Sequence, residues 1–291
     1  MMNEQSLEGW RHRPIPVSGG EFNMFKDLIF EKSGIKLKES KIELLKTRLS
    51  VRIRAMGLQS FSEYYHFITQ DRSGRELVAM LDAISTNVTS FFREIVHFKY
   101  LEEVLAPAVA ARSGSQIFKE IRGWSAGCSS GEEPYSMAIT LLECPAVNGP
   151  KWDIRILATD ISTEMLERAQ AGEYPAEKLD SVPGRLLAKY FDKIEADGVS
   201  IRKIKPIAAK LAHFRRFNLM ASVFPFKRKF HFIFCRNVMI YFDRPTQQQL
   251  ISRFFDALEP GGALMIGHSE SLTGLNHSFK YVKPTIYLKP E

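Results

Sequence analysis

Cysteine is scarce in this sequence, with three residues in 291, and Cys128, Cys144 and Cys235 stand far apart in no metal-ligand spacing. That argues against a disulfide framework and against zinc, so reduced thiols and no metal are expected. Long apolar runs are also missing: none reaches the roughly 18 residues that mark a membrane-spanning helix. The first twenty residues, Met1 to Gly20, lack the basic-then-apolar layout of a secretory signal, and a cytoplasmic protein without membrane insertion is expected. Acidic residues fall short of basic ones, 33 against 40, which leaves a formal net charge of +7. An anionic partner follows, whether nucleic acid, a membrane surface or an acidic protein face, and charge alone does not choose among them.

What is present is the balance of a soluble globular chain, 45% hydrophobic and 25% charged, with room for two domains. Residues 1–20 carry Pro14, Pro16, Gly19 and Gly20 and no periodic pattern, which predicts a loosely ordered lead-in. Residues 21–84 read as a small all-α domain: Phe22, Phe25 and Ile29 recur at helical spacing before Ser33-Gly34, and Ile42, Leu45, Leu49, Ile53 and Met56 repeat it before Gly57. Amphipathic stretches at Phe61 to Ile68 and Leu77 to Ile84 complete it. Over 85–291 short apolar runs alternate with helical ones, the pattern of an α/β domain with a mostly parallel sheet. Strands are predicted at Ile117 to Trp124, Ile154 to Thr159, Ala212 to Phe217, Phe230 to Cys235 and Ala263 to Gly267. The last pair, Lys280 to Lys283 and Thr285 to Lys289, is joined too tightly for a crossover and predicts an antiparallel edge. Tyr190 to Glu195 and Val199 to Ile204 flank Ala196-Asp197-Gly198 and read as a hairpin, a small antiparallel insertion over about 188–206.

The strand ending at Trp124 runs into Ser125-Ala126-Gly127-Cys128-Ser129-Ser130-Gly131 and then into a helix opened by Glu132-Glu133-Pro134-Tyr135. Glycines let the backbone turn sharply and approach a ligand, although such a loop also serves as a plain strand-to-helix turn. Asp160 ends the next strand, where a carboxylate can accept both ribose hydroxyls or, alternatively, cap the helix beginning near Ser162. Two glutamates at the helix start are wrong for a pyrophosphate, which needs positive charge there. S-adenosylmethionine fits instead, since it carries ribose hydroxyls, a sulfonium and an ammonium but no phosphate. The stretch Leu258-Glu259-Pro260-Gly261-Gly262 predicts a turn before the strand at Ala263.

Four motifs then become specific. Ser85-Thr86-Asn87-Val88-Thr89-Ser90-Phe91-Phe92-Arg93-Glu94, the run Trp124 to Ser136, Phe234-Cys235-Arg236-Asn237-Val238-Met239-Ile240-Tyr241-Phe242 and Gly267-His268-Ser269-Glu270 closely resemble the chemotaxis receptor methyltransferases, the CheR family. The resemblance spans about residues 21 to 289. It implies a Rossmann-like class I methyltransferase domain with a small antiparallel β insertion behind the all-α N-terminal domain. It implies cofactor contacts from Asn87, Thr89, Arg93, Gly127, Glu133, Asp160, Asn218, Leu219, Arg236 and Asn237, with S-adenosyl-L-homocysteine as product. Arg93 and Tyr241 are the implied catalytic pair: a guanidinium suits a carboxylate of cofactor or substrate, and the phenol would wall the methyl group and orient the accepting oxygen. Alternatively Arg93 is a surface arginine paired with Glu94, and Tyr241 packs beside Phe242. His268 is read as supporting or structural.

The implied acceptor is a glutamate side chain on the helical cytoplasmic bundle of a chemoreceptor. A glutamate of reference pKa near 4.3 is ionised at neutral pH, so no catalytic base is needed. Lys41, Arg48 and Arg52 fall on one face of the helix from about Glu39 to Met56, beside Ile42, Leu45 and Leu49, and form the candidate docking stripe for that acidic bundle. The hairpin is a candidate docking element for a receptor's C-terminal peptide by strand addition. A monomer is expected. Two readings compete: a nucleic-acid methyltransferase, which Asn237-Val238-Met239-Ile240-Tyr241 disfavours by lacking the prolines of an Asn-Pro-Pro-Tyr motif, and a catalytically silent adaptor.

Overall fold

The computed structural model describes residues 14–114, 117, 119–196 and 198–291. The chain divides into two units, one ending at Thr86 and the other spanning Asn87–Glu291.

The first unit is helical because its apolar residues repeat at 3.6-residue spacing between strong stop signals. Helix α1 (Gly19–Ser33) starts at a capping box in which Ser18 and Glu21 satisfy each other's backbone, and Gly34, at φ 73°, ends it. Helices α2 (Ile42–Ala55), α3 (Phe61–Gln70) and α4 (Arg75–Ile84) follow. Phe25, Ile29, Leu45, Leu49, Ile53, Phe61 and Tyr64 are fully buried, each contributing about 1.5–3 kcal/mol of apolar transfer. Of the expected lead-in, residues 1–13 lie outside the described residues. Ile15 donates its N–H to Ser50 Oγ, and Gly19 and Gly20 belong to the first turn of α1 rather than to a loose segment.

Two of the three side chains in the expected docking stripe on α2 have partners within this unit. Arg48 donates to the carbonyls of Ala83, Ile84 and Ser85, closing the end of α4. Arg52 forms a two-pronged pair with Glu76, at 3.0 and 2.6 Å, and Glu76 also accepts from the Tyr64 hydroxyl. Both guanidiniums are therefore engaged inside this unit, while Lys41 is exposed. Helical periodicity shows which face a residue occupies; it does not show whether a long side chain folds back onto a neighbouring helix. Arg52→Met is expected to destabilise the chain by about 2–3 kcal/mol, because a buried carboxylate loses its counter-charge, less than for a wholly buried pair since Arg52 stays 32% exposed. Urea melts followed by circular dichroism measure it; an unshifted midpoint returns Arg52 to the surface.

The second unit is built on a seven-stranded sheet in the order β6-β2-β1-β7-β8-β10-β9. Its strands are β1 (Lys119–Ala126), β2 (Trp152–Asp160), β6 (Ala212–Arg216), β7 (Phe230–Cys235), β8 (Leu258–Ile266), β9 (Lys280–Lys283) and β10 (Ile286–Leu288). The first five are parallel to one another, and β10 pairs antiparallel with both β8 and β9. The antiparallel strand thus lies one place in from the edge, which β9 forms. Helix α7 (Glu132–Glu143) follows β1 and helix α8 (Thr163–Ala171) follows β2. Ahead of β1 in the chain, helix α5 (Val96–Tyr100) continues through a π turn, Leu101–Leu105, into α6 (Ala106–Arg112). Two aromatic-rich cores hold the layers: Phe98, Tyr135, Phe232 and Phe234 in one, Trp124, Ile233, Phe254 and Leu264 in the other.

Three details differ from the sequence-based expectation. The Pro-Gly-Gly stretch is a bulge inside β8, where the register jumps from Phe230–Leu258 to Phe232–Ala263, rather than a turn ahead of it. Ile117 precedes β1 and is 78% exposed. The hairpin β4 (Phe191–Ala196) and β5 (Val199–Ile204) gains a third strand, β3 (Glu173–Pro175), making a separate sheet in the order β3-β5-β4. Asp197, in the expected turn, lies outside the described residues. The three thiols are free and buried.

Candidate active site

In an open α/β sheet, ligands collect at the carboxyl ends of the strands where the winding reverses. Here the reversal falls between β1, from which the chain winds toward β2 and β6, and β7, from which it winds toward β8. The loop after β1 is drawn tight against β2: Gly127 and Cys128 both donate to the Thr159 carbonyl, at 2.8 and 2.9 Å. Gly127 has φ 95°, and a Cβ there would strike the Val238 side chain, so a larger residue is doubly excluded. Ser129, at φ 47°, donates its N–H to Asp160 Oδ2 at 2.8 Å. Asp160 Oδ1 accepts from Ser162 N–H, and the cap of α8 is Ser162 itself, not Asp160. Asp160 is thereby fixed, 8% exposed, at the lip of the loop.

The opposite wall is a buried charge cluster. Glu133 accepts from Ser125 Oγ at 2.7 Å and from Arg236 Nε at 2.6 Å. Arg236, its side chain 3% exposed, also donates to the Arg93 carbonyl and lies over Phe98 and Phe234. Glu94 Oε2 lies 3.5 Å from Arg236 and 3.5 Å from His97 Nδ1. Burial, helped by Arg236, pushes His97 down to about 3, so it is neutral. By spacing, Glu94, His97 and His268 could gather round a cation. Arg236 already stands 3.2 Å from His97 Nδ1 and supplies the positive charge itself.

The segment 87–94 crosses this site in a conformation few side chains tolerate, with Phe92 at φ 52° and Glu94 at φ 58°. Phe92 N–H is held by Ser136 Oγ, and Ser129 Oγ donates to the Asn87 carbonyl. Arg93 is partly exposed and its guanidinium donates to the Val88 carbonyl at 2.9 Å, so its alternative pairing with Glu94 does not form. Asn237, at φ 60°, is pinned by Glu270, whose carboxylate accepts from Asn237, Gly267 and Ile240; burial raises Glu270 while these bonds oppose the shift. Gly267 has no room for a side chain, since a Cβ would come within 2.8 Å of the Asn237 backbone nitrogen.

Of the residues expected from the sequence, Asn87, Arg93, Gly127, Glu133, Asp160, Arg236 and Asn237 come together at the strand ends of β1, β2 and β7. Asn218 and Leu219 follow β6, where Phe217 N–H donates to the Asp160 carbonyl and brings them alongside. Thr89 and Tyr241 are half-buried, Tyr241 in the turn Met239–Tyr241 after β7. Glu94, His97 and Glu270 were not assigned roles from sequence. The first and last stand inside quoted motifs, and that was the available signal; nothing local marks His97. His268 donates its backbone N–H to Glu94 Oε1 and is otherwise exposed, in keeping with a supporting role.

A loop that leads into a helix opened by two buried glutamates, with the Asp160 carboxylate beside it, disfavours a phosphate and suits a sulfonium-bearing nucleoside. Fold and site together define an S-adenosylmethionine-dependent methyltransferase of class I. Residues 87–288 match the family described as the CheR methyltransferase SAM binding domain, and residues 20–85 match its all-alpha domain. The chain belongs to the CheR methyltransferase family. It is 38% identical over 275 residues to the chemotaxis protein methyltransferase of Borreliella burgdorferi, covering 94% of this chain and 96% of that one. It is 36% identical to that of Escherichia coli, covering 94% and 92%, and 40% identical to the probable chemotaxis protein methyltransferase of Rhizobium etli, covering 89% and 96%.

Asp160→Ala is expected to weaken binding of S-adenosylhomocysteine about 10-fold, the loss of a charge-assisted bond, with a smaller loss for Asp160→Asn, which keeps one acceptor oxygen. Calorimetry on both variants decides it, and unchanged affinity in the alanine variant removes Asp160 from the site.

Proposed function

We propose that the chain transfers the methyl group of S-adenosylmethionine to glutamate side-chain carboxylates of chemoreceptors, forming methyl esters, and acts as a monomer in the cytoplasm. The observation that carries this reading is the company Arg93 keeps. A partly exposed guanidinium donates to the carbonyl of Val88, which is 76% exposed, in the same short segment as Ile95, which is 47% exposed. Together they offer a cation for a carboxylate and apolar surface for the helix that bears it. The names of the relatives point to the same pathway of use. No helix among the described residues is long and apolar enough to cross a membrane.

When bound, S-adenosylmethionine supplies a methyl group on a positively charged sulfur, and transfer to a carboxylate oxygen leaves a neutral thioether. The protein's residues have the task of placement. Asp160 and Asn218 hold the nucleoside end, and Glu133 with Arg236 frames the methionine end. Arg93 receives the acceptor carboxylate, Tyr241 flanks the methyl path, and the apolar rim strips water from the nucleophile. A carboxylate arrives ionised at neutral pH, so no proton has to be removed. His97 agrees with this, being buried, neutral and hydrogen-bonded at both nitrogens.

Docking of the acidic bundle to the helical unit then relies on Lys41 more than on Arg48 and Arg52. Strand β4 forms an edge of the small sheet and is the element to which a receptor's C-terminal peptide would add. Incubation with radiolabelled S-adenosylmethionine and either receptor-containing membranes or total RNA tests the assignment. Label in the receptor band supports it, and label confined to RNA overturns it in favour of a nucleic-acid methyltransferase.

A further inference from the structure

The turn between β9 and β10 carries a residue that local backbone preference would not choose. Thr285 has φ 64°, a left-handed conformation suited to glycine or asparagine and costly for a β-branched side chain. It is 8% exposed, and its carbonyl accepts from Ile266 N–H, which ties the turn to the end of β8. Its hydroxyl is also committed. The single proton goes to the Pro284 carbonyl at 2.7 Å, so the oxygen faces His97 Nε2, 2.7 Å away, as an acceptor. With the hydroxyl proton on the Pro284 carbonyl, that contact is a hydrogen bond when His97 carries its proton on Nε2. A neutral imidazole has one N–H, which leaves the lone pair on Nδ1, and Nδ1 is the atom facing the Arg236 guanidinium at 3.2 Å. With the proton on Nδ1 instead, an N–H would face the Arg236 guanidinium, and the nearby carboxylate oxygen, Glu94 Oε2, lies 3.5 Å away, beyond a good hydrogen bond.

We propose that Thr285 and His97 are positioning residues for methyl transfer: the Thr285 hydroxyl selects the His97 tautomer, and His97 in turn holds Arg236 where it grips Glu133 and the Arg93 carbonyl. The far hairpin of the sheet thereby sets the placement of the cofactor wall and of the backbone that presents Arg93. The burial that keeps His97 uncharged preserves this arrangement across the physiological pH range. The inference rests on the assignment of Arg236 and Glu133 to the methionine end of the cofactor site.

The test measures S-adenosylhomocysteine affinity by calorimetry, separately from receptor methylation, so a wrong receptor assignment leaves the first readout intact. Thr285→Val, which keeps the shape and deletes the hydroxyl, is expected to raise the dissociation constant about 10-fold and to lower kcat with little change in melting. Thr285→Ser is expected to restore the affinity to within about twofold of the parent. His97→Phe should lose as much as Thr285→Val or more, and the double variant should lose no more than His97→Phe alone, because the hydroxyl acts only through the imidazole. Thr285→Ala serves as the readout if the valine variant does not fold. Parental affinity in the hydroxyl-deleted variants, failure of serine to rescue, or additive losses in the double variant would each overturn the proposal.

Discussion

Arg236→Met is expected to cost about 3–5 kcal/mol of folding stability, as the breaking of a buried ion pair does. The side chain it replaces is 3% exposed and is the cation that Glu133 and Glu94 share, at 2.6 and 3.5 Å. Removing one member of a buried pair leaves the other charge in a low-dielectric interior with nothing to offset its desolvation. Methionine fills the volume between Phe98 and Phe234, so a large loss reads as electrostatic rather than as a cavity. Chemical denaturation of Arg236→Met beside Glu133→Gln and the double variant separates the terms. The double variant should recover part of the loss, and simple additivity would show that the two residues do not act as a pair.

Arg93→Ala is expected to lower methyl transfer about 100-fold while leaving the fold intact, as the removal of one preorganised charged donor does at a reacting centre. The guanidinium is partly exposed and bonds only a carbonyl of its own loop, Val88, in the hydrogen bonds described, so stability should move little. Tyr241→Phe is expected to reduce the rate in the same direction by less, since the ring remains. Kinetics at saturating and subsaturating receptor, run beside thermal melts, separate catalysis from folding. Full turnover in Arg93→Ala removes it from the catalytic pair.

The elements legible in the sequence were those whose signals are local. Phe22, Phe25 and Ile29 before Gly34 fix a helix by spacing and a stop residue, and the Gly127 loop with Asp160 marks the carboxyl ends of β1 and β2. Three kinds of feature were illegible. A three-residue strand such as Glu173–Pro175 is too short for any periodic signal and exists only because β5 supplies its partner. The order β8-β10-β9 depends on which edge a tight hairpin closes upon, which chain order does not specify. The fates of long polar side chains are tertiary facts: Arg52 turns inward to Glu76, and His97 meets Thr285 across 188 residues of sequence.

The central claim is that the acceptor is a carboxylate oxygen, and the chemistry of the product bond tests it most directly. Receptor labelled by this protein with radioactive S-adenosylmethionine is separated from free cofactor, exposed to mild alkali, and assayed for volatile label. A methyl ester hydrolyses and releases the label as methanol, and the parent protein is expected to give that result while Arg93→Ala gives little label of any kind. Label that stays on the polypeptide through alkali would place the methyl group on nitrogen, and would contradict the account of an ionised oxygen nucleophile that needs no base.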